Sequence, residues 1–411
     1  MIAIPVSEIS HLGRLEADVD EITGVEIDSR RVGPGDLFVA VRGGIDFLAD
    51  ARSRGAATLV PDDDFAAMAV LGRAVRDRSD AQVVGITGST GKTSTKDILA
   101  AFCRPHRRTI AAEASYNAEL GVPLTLCRLE PETELVIAEL AMRGFGQIAA
   151  LCAIARPTLG VITTIGPVHL EFVESVEGVA RAKAELLESL PRGAKAVVPA
   201  AVPELEPHLR ADVDVIRVGE DARLTSFRDG RLEAQLGDEA IELELPFRAR
   251  HQGENALTAA AAYWALGLPL DRMQEGAAEI EFSRLRGEEL PLEGGGVLIN
   301  DCWNANPTSM AAALRDLAER NGGRRIAVLG GMAELGPDGP RYHREIGALT
   351  TDLDVVVGVG QLARDYGPTH WVTDADQAAT LLSELLEPGD VVLVKGSRAV
   401  GLERVAQNLV P

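Results

Sequence analysis

The chain has 411 residues, which is too long for one hydrophobic core and favours two or three domains. Its 62 acidic residues outnumber its 41 basic residues, and the net charge of −21 argues against a broad basic surface that holds nucleic acid. Hydrophobic residues make up 46% of the chain, close to the average of soluble proteins, and no uncharged apolar run is long enough to span a bilayer.

The first 21 residues carry no basic segment followed by an apolar segment, so we expect no secretory signal and a cytoplasmic location. The four cysteines are far apart and lack the close pairing of zinc or redox motifs. We therefore predict that Cys103, Cys127, Cys152 and Cys302 are core thiols.

Three segments of α/β character follow one another along the chain, and we predict one domain for each. Residues 1–78 have mixed patterning, with a turn at VGPGD before the apolar run LFVAV, and predict a small α/β domain. In residues 79–284, apolar runs such as AQVVGIT and ELVIAEL alternate with amphipathic segments, which indicates a parallel sheet with crossover helices. Residues 285–411 repeat that alternation and predict a Rossmann-like α/β domain.

Two further elements are predicted inside the central domain. Short alternating runs between residues 213 and 246 indicate hairpins added to its sheet. The stretch HQGENALTAAAAYWALGL, which begins at His251, predicts a long helix.

The stretch GITGSTGKTSTKDILA, residues 85–100, places a glycine-rich turn between a predicted strand and a predicted helix. This is the context of a phosphate-binding loop, although Ile86 stands where a complete Walker A motif has its first glycine. Lys92 would neutralise the β- and γ-phosphates of ATP, and the Thr93 hydroxyl would coordinate Mg²⁺. The alternative is a glycine-rich turn that only caps a helix. The candidate nucleotide-binding residues here are Gly88, Ser89, Thr90, Gly91, Lys92, Thr93 and Ser94.

Three later residues are candidates for the same edge of the predicted sheet. Glu139 ends an apolar strand and could hold Mg²⁺, or it could simply emerge into solvent there. His169 follows the next strand, where a histidine has either a structural or a metal-binding role. Lys183 lies two turns into the following helix, and taken alone it would be a solvated lysine.

Several motifs occur in a fixed order along nearly the whole chain: DSR (28–30), PGDLF (34–38), TGSTGKTS (87–94), the strand-end Glu139, HLE (169–171), the lysine of AKAE, HQGENALTAAAA (251–262), an arginine at the second domain junction, and LVKGSR (393–398). In this order they resemble the Mur ligases, the ATP-dependent amide-forming enzymes of peptidoglycan precursor synthesis. The resemblance implies a first domain for a UDP-sugar substrate, a central ATP-binding domain and a C-terminal domain for the incoming amine.

Within that family, three segments resemble the members that join D-Ala-D-Ala to UDP-MurNAc-tripeptide. They are YNAELGVPLTL (116–126), NDCWNANPTSM (300–310) and VLGGMAELG (328–336). The DNPR-type motif of the members that add the third stem-peptide residue is absent from the sequence. The chain departs from the family pattern at Ala118, Trp303 and Gly331, and residues 43–51 lack the DGHxF pattern, which concerns the UDP-sugar contacts.

The resemblance also implies a role for each candidate residue. Lys92 and two Mg²⁺ ions would bring ATP and the substrate carboxylate together; Thr93 and Glu139 would bind one ion, and His169 the other. Lys183 aligns with a lysine that is carbamylated in this family and then supports a metal. Asn255 would bind adenine with His251 orienting its segment, and Arg286 and Asp301 would contact the γ-phosphate and ribose. The implied substrate-binding residues are Ser29, Arg30, Asn117, Asn304, Asn306, Lys395, Ser397 and Arg398.

The resemblance implies that the product is an amide formed through an acyl phosphate. The expected partners are the small-molecule substrates UDP-MurNAc-tripeptide and D-Ala-D-Ala, and we expect the chain to be a monomer. Two other readings stay open. A ligase of this type could use a different amine, or the chain could be a P-loop kinase or switch ATPase, which would leave Lys183 and the NANP and KGSR segments without a role.

Overall fold

A computed structural model describes residues 1–410 and shows three α/β domains in chain order. The elements of the first lie within residues 4–76, those of the second within residues 82–277, and those of the third within residues 288–409. The predicted α/β fold of three domains is confirmed.

The N-terminal domain is built on a four-stranded mixed sheet with the strand order β2-β6-β5-β4, beside a separate β1-β3 pair. Its strands are β1 (Ile4–Pro5), β2 (Gly13–Glu16), β3 (Glu21–Ile22), β4 (Gly24–Glu26), β5 (Asp36–Val39) and β6 (Ala57–Pro61). Its helices are α1 (Val6–Ile9), α2 (Leu48–Ser53) and α3 (Asp64–Arg76). Helix α3 begins after Asp63, whose side chain accepts a hydrogen bond from Ala66 N and so satisfies one free N–H of the first turn.

The central domain carries the largest sheet, with nine strands in the order β15-β14-β13-β12-β11-β10-β7-β9-β8. Its strands are β7 (Gln82–Thr87), β8 (Thr109–Ala111), β9 (Leu135–Glu139), β10 (Leu159–Ile162), β11 (Lys195–Pro199), β12 (Asp214–Val218), β13 (Ala222–Arg228), β14 (Arg231–Leu236) and β15 (Glu239–Glu244). Its helices are α4 (Lys92–Cys103), α5 (Gly121–Leu126), α6 (Gln147–Ala155), α7 (Leu170–Val173), α8 (Val176–Glu188), α9 (Arg250–Ala265) and α10 (Gln274–Ala277).

Strands β7 to β12 pair in parallel, and β13, β14 and β15 form an antiparallel extension. The predicted hairpins and the long helix α9 are therefore both present. Because β7 lies between β9 and β10, the loops that follow these three strands meet at one edge of the sheet. That edge carries the phosphate loop, Glu139 and the segment before His169.

The C-terminal domain has a six-stranded sheet with the order β16-β17-β21-β18-β19-β20, parallel except for the edge strand β16. Its strands are β16 (Glu288–Pro291), β17 (Val297–Asn300), β18 (Arg325–Gly330), β19 (Val355–Val359), β20 (His370–Val372) and β21 (Val391–Lys395). Its helices are α11 (Pro307–Glu319), α12 (Gly339–Gly347), α13 (Ala375–Leu385) and α14 (Glu403–Leu409).

One hydrophobic core joins the N-terminal and central domains. Buried residues of the first domain, among them Ile4, Met68 and Leu71, belong to the same cluster as Val122 and Leu151 of the central domain. The C-terminal domain has its own clusters on the two faces of its sheet. All four cysteines are buried thiols, as the sequence predicts.

Within residues 1–410, none of the helices combines the length and the apolar character that crossing a membrane would require.

Candidate active site

The phosphate loop joins β7 to α4, and its two glycines are required by close approaches. Gly88 has φ 150°, and a Cβ atom there would lie 1.9 Å from Thr163 Oγ1. Gly91 has φ 79°, and a Cβ atom there would lie 2.3 Å from Asn255 Oδ1. The loop thus wraps tightly around the N-terminus of α4, where free N–H groups and the helix dipole favour an anion.

Hydrogen bonds from the next loop hold the phosphate loop in this shape. Thr90 N donates to Thr164 Oγ1 at 2.9 Å, and Ser89 N donates to Thr164 O at 2.8 Å. The Ser89 hydroxyl donates to Gly166 O at 3.1 Å. The side chains of Ser89, Thr90 and Thr164 are therefore used to position the backbone.

Lys92 and Thr93 begin α4 and face the carboxylate that ends β9. The Thr93 hydroxyl donates to Glu139 Oε2 at 2.9 Å, and Glu139 is fully buried. The Lys92 ammonium donates to Gly88 O at 2.8 Å, so it folds back onto the phosphate loop. Ser94 is buried in the same turn of the helix. A lysine, a hydroxyl and a carboxylate therefore converge beside the loop.

A second loop, residues 112–117, reaches the same carboxylate. Asn117 Nδ2 donates to Glu139 Oε1 at 2.7 Å, so both oxygens of Glu139 have a donor. The loop is anchored by Lys96, a buried residue whose ammonium donates to Ala112 O at 2.6 Å and to Ala114 O at 2.8 Å. Lys96 thus links the phosphate-loop helix to the segment that carries Asn117.

Arg286 comes from the junction with the C-terminal domain and enters this cluster. Its Nη2 donates to Thr93 Oγ1 at 3.1 Å and to Ser115 Oγ at 3.3 Å. Burial lowers the pKa of its guanidinium, and Glu139 is the largest charge that opposes this effect. The residue supplies a fixed positive charge next to the phosphate loop.

Lys183 lies on α8 and is 1% exposed. Burial lowers the pKa of its ammonium well below the ordinary range, and the charge of Lys92 lowers it further. A buried lysine normally has a carboxylate partner, because the desolvated charge is otherwise costly. Among residues 1–410, no salt bridge involves Lys183. The solvated-face interpretation of this residue is therefore wrong, since the side chain points into the protein.

His169 precedes α7 and contacts the C-terminal domain. Its Nδ1 lies 2.5 Å from Glu334 Oε2, in the loop that follows β18. Glu334 Oε1 lies 3.2 Å from Arg143 Nε. Burial lowers the pKa of His169, and the charges of Lys183 and Lys92 act in the same direction. The imidazole therefore lies near both lysines while one ring nitrogen is held from across the domain interface.

A cavity of about 470 Å³ lies between the central and C-terminal domains. Its walls include the aromatic rings of Phe247 and Phe282, the imidazole of His251 and the carboxylate of Asp301. His251 Nδ1 is buried without a hydrogen-bond partner in the part of the chain that the structure describes. Aromatic rings beside polar and charged side chains are typical of a site for a small molecule.

Asn255 and Gln252 connect this cavity to the phosphate loop. Gln252 lines the cavity, and its Oε1 accepts a hydrogen bond from Asn255 Nδ2 at 2.9 Å. Asn255 Oδ1 lies against Gly91, as the close approach described above shows. The predicted adenine-binding residue thus borders the phosphate loop, whereas His251 lines the cavity itself.

The C-terminal candidates Asp301, Asn304 and Lys395 are joined to one another. The Lys395 ammonium lies 2.5 Å from Asp301 Oδ2 and 3.2 Å from Asn304 O. Lys395 is 2% exposed, so its buried ammonium holds Asp301 and the first residue of the NANP segment in place. Ser397 Oγ accepts a hydrogen bond from Ala333 N, and Arg398 pairs with Glu403.

Asn306 is the N-cap of α11. Its side chain accepts a hydrogen bond from Ser309 N, the Asn306 N–H donates in return to Ser309 Oγ, and Pro307 occupies the first helical position. Asn306 Nδ2 also lies 3.4 Å from Ser89 O of the phosphate loop. The residue therefore ties the C-terminal domain to the phosphate loop.

The N-terminal candidates lie in a different part of the molecule. Ser29 is buried, and the Arg30 side chain is exposed and paired with Asp28. Among the residues that the sequence predicts for ATP, those of the phosphate loop, Asn255 and Arg286 meet at the carboxyl edge of the central sheet, whereas Asp301 lies in the C-terminal domain.

The donor set at this edge fits a metal that takes most of its ligands from phosphates and water. Residues 1–410 contain no group of three or more His, Cys, Asp and Glu side chains that could hold an ion by themselves. Thr93 and Glu139 offer hard oxygen donors of the kind that Mg²⁺ prefers, and His169 retains one free ring nitrogen. An unmodified Lys183 ammonium would repel such an ion.

Profiles of three domain families match the chain in sequence order. The Mur ligase family catalytic domain matches residues 21–105, the Mur ligase middle domain residues 86–263, and the Mur ligase glutamate ligase domain residues 286–398. The chain belongs to the Mur ligase family.

This Mur ligase is similar to the UDP-N-acetylmuramoyl-tripeptide–D-alanyl-D-alanine ligase of Mycobacterium tuberculosis. The two are 35% identical over an alignment of 500 residues that covers 100% of this chain and 98% of the relative. A crystal structure of MurF from Acinetobacter baumannii is 27% identical and superposes with a TM-score of 0.87 over 99% of this chain and 98% of the other. MurF ligase from Thermotoga maritima in complex with ADP is 27% identical with a TM-score of 0.82, over 94% of this chain and 96% of the other.

Several residues of the site were not assigned from the sequence of this Mur ligase. Glu334, Ser115, Lys96 and Thr164 act through contacts between segments that are far apart along the chain. The MAELG segment that contains Glu334 was noted as a motif, but its spacing gave no sign of a contact with His169. For the other three, the sequence holds no comparable signal.

Proposed function

We propose that this Mur ligase joins D-Ala-D-Ala to UDP-MurNAc-tripeptide with cleavage of ATP to ADP and phosphate. The observation that carries the proposal is the convergence of Lys92, Thr93, Glu139 and Arg286 beside a phosphate loop, with His169 and Lys183 nearby. The full-length similarity to D-alanyl-D-alanine ligases supports the choice of amine. In this proposal the product is a precursor of peptidoglycan and the enzyme acts in the cytoplasm as a monomer.

The chemistry begins with a carboxylate, which is a poor electrophile until one oxygen becomes part of a leaving group. Transfer of the γ-phosphoryl group to the terminal carboxylate of the tripeptide gives an acyl phosphate. The dipeptide amine then attacks the acyl carbon, and the tetrahedral intermediate expels phosphate. The first step brings two anions together, so fixed positive charge is its main requirement.

Lys92 and Arg286 supply that charge from two sides of Thr93. Lys92 would exchange its bond to Gly88 O for the β- and γ-phosphates, and Arg286 would reach the γ-phosphate from the domain junction. Two Mg²⁺ ions, when bound, would neutralise phosphate charge and orient the reacting oxygens. Thr93 and Glu139 would hold one ion and His169 with Lys183 the other.

Carbamylation of Lys183 belongs to this proposal. Its side chain is buried without an acidic partner, and its lowered pKa favours the neutral amine, which is the form that reacts with carbon dioxide. The amine nitrogen bonds to the carbon of CO₂ and loses a proton, which leaves a carbamate anion. That anion would turn a residue that repels Mg²⁺ into one that supports it.

The three domains divide the substrates among themselves. Residues 1–78 would bind the UDP-sugar, with Ser29 and Arg30 as contacts, and Asn117 would lie near the reacting end of the peptide. Residues 79–284 would bind ATP, with the adenine in the cavity lined by His251 and with Asn255 near the phosphates. Residues 285–411 would bind the dipeptide through the loop of Asn304 and Asn306, with Asp301 at the ribose and Lys395, Ser397 and Arg398 shaping the anion-binding side.

The test is a product assay with ATP, Mg²⁺, UDP-MurNAc-tripeptide and a panel of amines, read by mass. D-Ala-D-Ala is expected to be used roughly a hundredfold better than any single amino acid, because a site that pairs two extra polar groups leaves them unsatisfied with a shorter amine. If lysine or diaminopimelate is joined to the dipeptide-stage precursor at a comparable rate, the amine substrate is a single amino acid and not D-Ala-D-Ala. A phosphorylated product without an amide would instead favour a kinase.

A further inference from the structure

Glu334 stands out because no step of the proposed function uses it, although it contacts a proposed metal ligand from another domain. Its Oε2 lies 2.5 Å from His169 Nδ1, and its Oε1 lies 3.2 Å from Arg143 Nε. Its backbone oxygen also accepts a hydrogen bond from Glu171 N at 3.4 Å. All three partners belong to the central domain, and Glu334 belongs to the C-terminal domain.

The backbone at both ends of this contact is strained. His169 has φ 54° and Glu334 has φ 61°, and neither is a glycine. Such a conformation is unfavourable for a residue with a side chain, and the surrounding contacts must maintain it. The strain therefore marks two residues whose side chains are held in particular places on facing domains.

The ring geometry decides what the contact can do. A carboxylate oxygen accepts a hydrogen bond, so the bond to Glu334 places the proton of a neutral His169 on Nδ1. The other ring nitrogen, Nε2, then carries a lone pair and is free to bind a cation. A carboxylate that fixes the tautomer and the orientation of a histidine ligand in this way is a recurrent feature of metal sites.

We propose that Glu334 is a positioning residue that completes the second metal site only when the C-terminal domain closes on the central domain. Because His169 receives its orienting partner from the C-terminal domain, an open enzyme holds a histidine whose tautomer and ring orientation are not fixed. His169 would then be ready to hold the second metal ion only in the closed form, in which the amine site is also assembled. This inference rests on the proposed function, since it concerns the second ion of that reaction.

The first test reads the tautomer directly and needs no metal. Protein labelled with ¹⁵N-histidine, in the presence of a non-hydrolysable ATP analogue, is examined by long-range ¹H–¹⁵N correlation spectra. Wild-type His169 is expected to be protonated at Nδ1. In Glu334→Gly, which removes the carboxylate and tolerates φ 61°, His169 is expected to shift toward protonation at Nε2.

His343 is an internal control in the C-terminal domain, because it is bonded to Met332 of the segment that carries Glu334. Its Nε2 accepts a hydrogen bond from Met332 N and its Nδ1 bonds to Gly339 O, so it is also an Nδ1-protonated ring. Its signals are expected to stay unchanged in Glu334→Gly. If they move, the loop has rearranged, and Glu334→Asn, whose shorter side chain also suits a left-handed backbone, decides the question.

The second test measures Mn²⁺ binding by electron paramagnetic resonance with the ATP analogue and UDP-MurNAc-tripeptide. Glu334→Gly is expected to weaken Mn²⁺ binding at the site of His169 about 10- to 100-fold and to leave the site of Thr93 and Glu139 unchanged. Arg143→Ala, which removes the ion pair but keeps the bond to His169, is expected to retain the wild-type tautomer and Mn²⁺ affinity. An unchanged tautomer or an unchanged Mn²⁺ affinity in Glu334→Gly overturns the proposal, as does an equal loss in Arg143→Ala.

These readouts separate the inference from the proposed function. If wild-type enzyme fails to make the D-Ala-D-Ala product while Glu334→Gly still changes the tautomer and the Mn²⁺ affinity, the choice of amine is wrong and the role of Glu334 stands.

Discussion

The Thr93 hydroxyl donates to Glu139 Oε2 at 2.9 Å, which ties the first turn of the phosphate-loop helix to the end of the neighbouring strand. Asn117 occupies the other carboxylate oxygen, so Glu139 is already oriented before any ligand binds. We expect Glu139→Gln, which keeps the shape but removes the charge, to raise the Mg²⁺ concentration needed for half-maximal activity about 10- to 100-fold. Activity measured against Mg²⁺ concentration checks this, and an unchanged requirement would remove Glu139 from the metal site.

Lys92 is expected to serve phosphate and not packing. Its ammonium bonds to the Gly88 carbonyl of the glycine turn, which other hydrogen bonds already hold in place, so Lys92→Ala should lower kcat about 10²- to 10³-fold while the melting temperature stays close to that of the wild type. Lys195→Ala is the matched control, because that lysine lies on β11 outside the site. Near-normal ligation by Lys92→Ala would contradict the nucleotide site.

Lys183 is expected to act as a carbamate. Lys183→Ala should lose activity and regain part of it when a small carboxylate such as acetate is added, because the anion can occupy the space of the carbamate. The comparison of rates with and without added carboxylate checks this, with Lys92→Ala as a variant that the carboxylate should not rescue. Full activity of Lys183→Ala without any addition would show that the residue has no part in the reaction.

Replacement of Asn304 by alanine and replacement of Asn306 by alanine are expected to have different effects on KM and on stability. The backbone of Asn304 is held by Lys395, and its side chain belongs to the loop proposed to bind the dipeptide. Asn304→Ala should therefore raise the KM for the dipeptide more than the KM for ATP. Asn306 also caps α11 and contacts Ser89, so Asn306→Ala should raise both KM values and lower stability by about 1 kcal/mol. Kinetics with each substrate varied in turn, together with thermal unfolding, check both. Equal effects of Asn304→Ala on the two substrates would argue against its contact with the amine.

Lys96 is expected to hold the loop that carries Ser115 and Asn117. Lys96→Met would leave the buried carbonyl of Ala112 without its donor, and would also remove the bond to the more exposed carbonyl of Ala114. The lost partner of the buried carbonyl costs about 1–3 kcal/mol of unfolding free energy. Denaturant unfolding, with Lys195→Met as the control, measures this loss. A variant as stable as the control would mean that the loop is held by other contacts.

The order of motifs predicts the three domains and the convergence of Lys92, Thr93 and Glu139, because the carboxyl ends of neighbouring parallel strands meet at one edge. Patterning alone misjudges Lys183, since a lysine on an amphipathic helix looks solvated until the packing around α8 is known. Glu334 could not be paired with His169, because they are far apart in sequence and meet only through the packing of two domains. Asn306 shows the same limit, since its capping of α11 is local while its contact with Ser89 is not.

The hydrophobic cluster shared by residues such as Met68 and Val122 has a consequence for how the chain comes apart. A fragment that begins at residue 79 would expose the apolar surface that α3 covers, and would be prone to aggregate. The N-terminal and central domains should therefore melt as one cooperative unit, whereas the C-terminal domain, which has clusters of its own, can melt in a separate transition. We therefore expect two unfolding transitions in calorimetry from a chain that has three domains by fold.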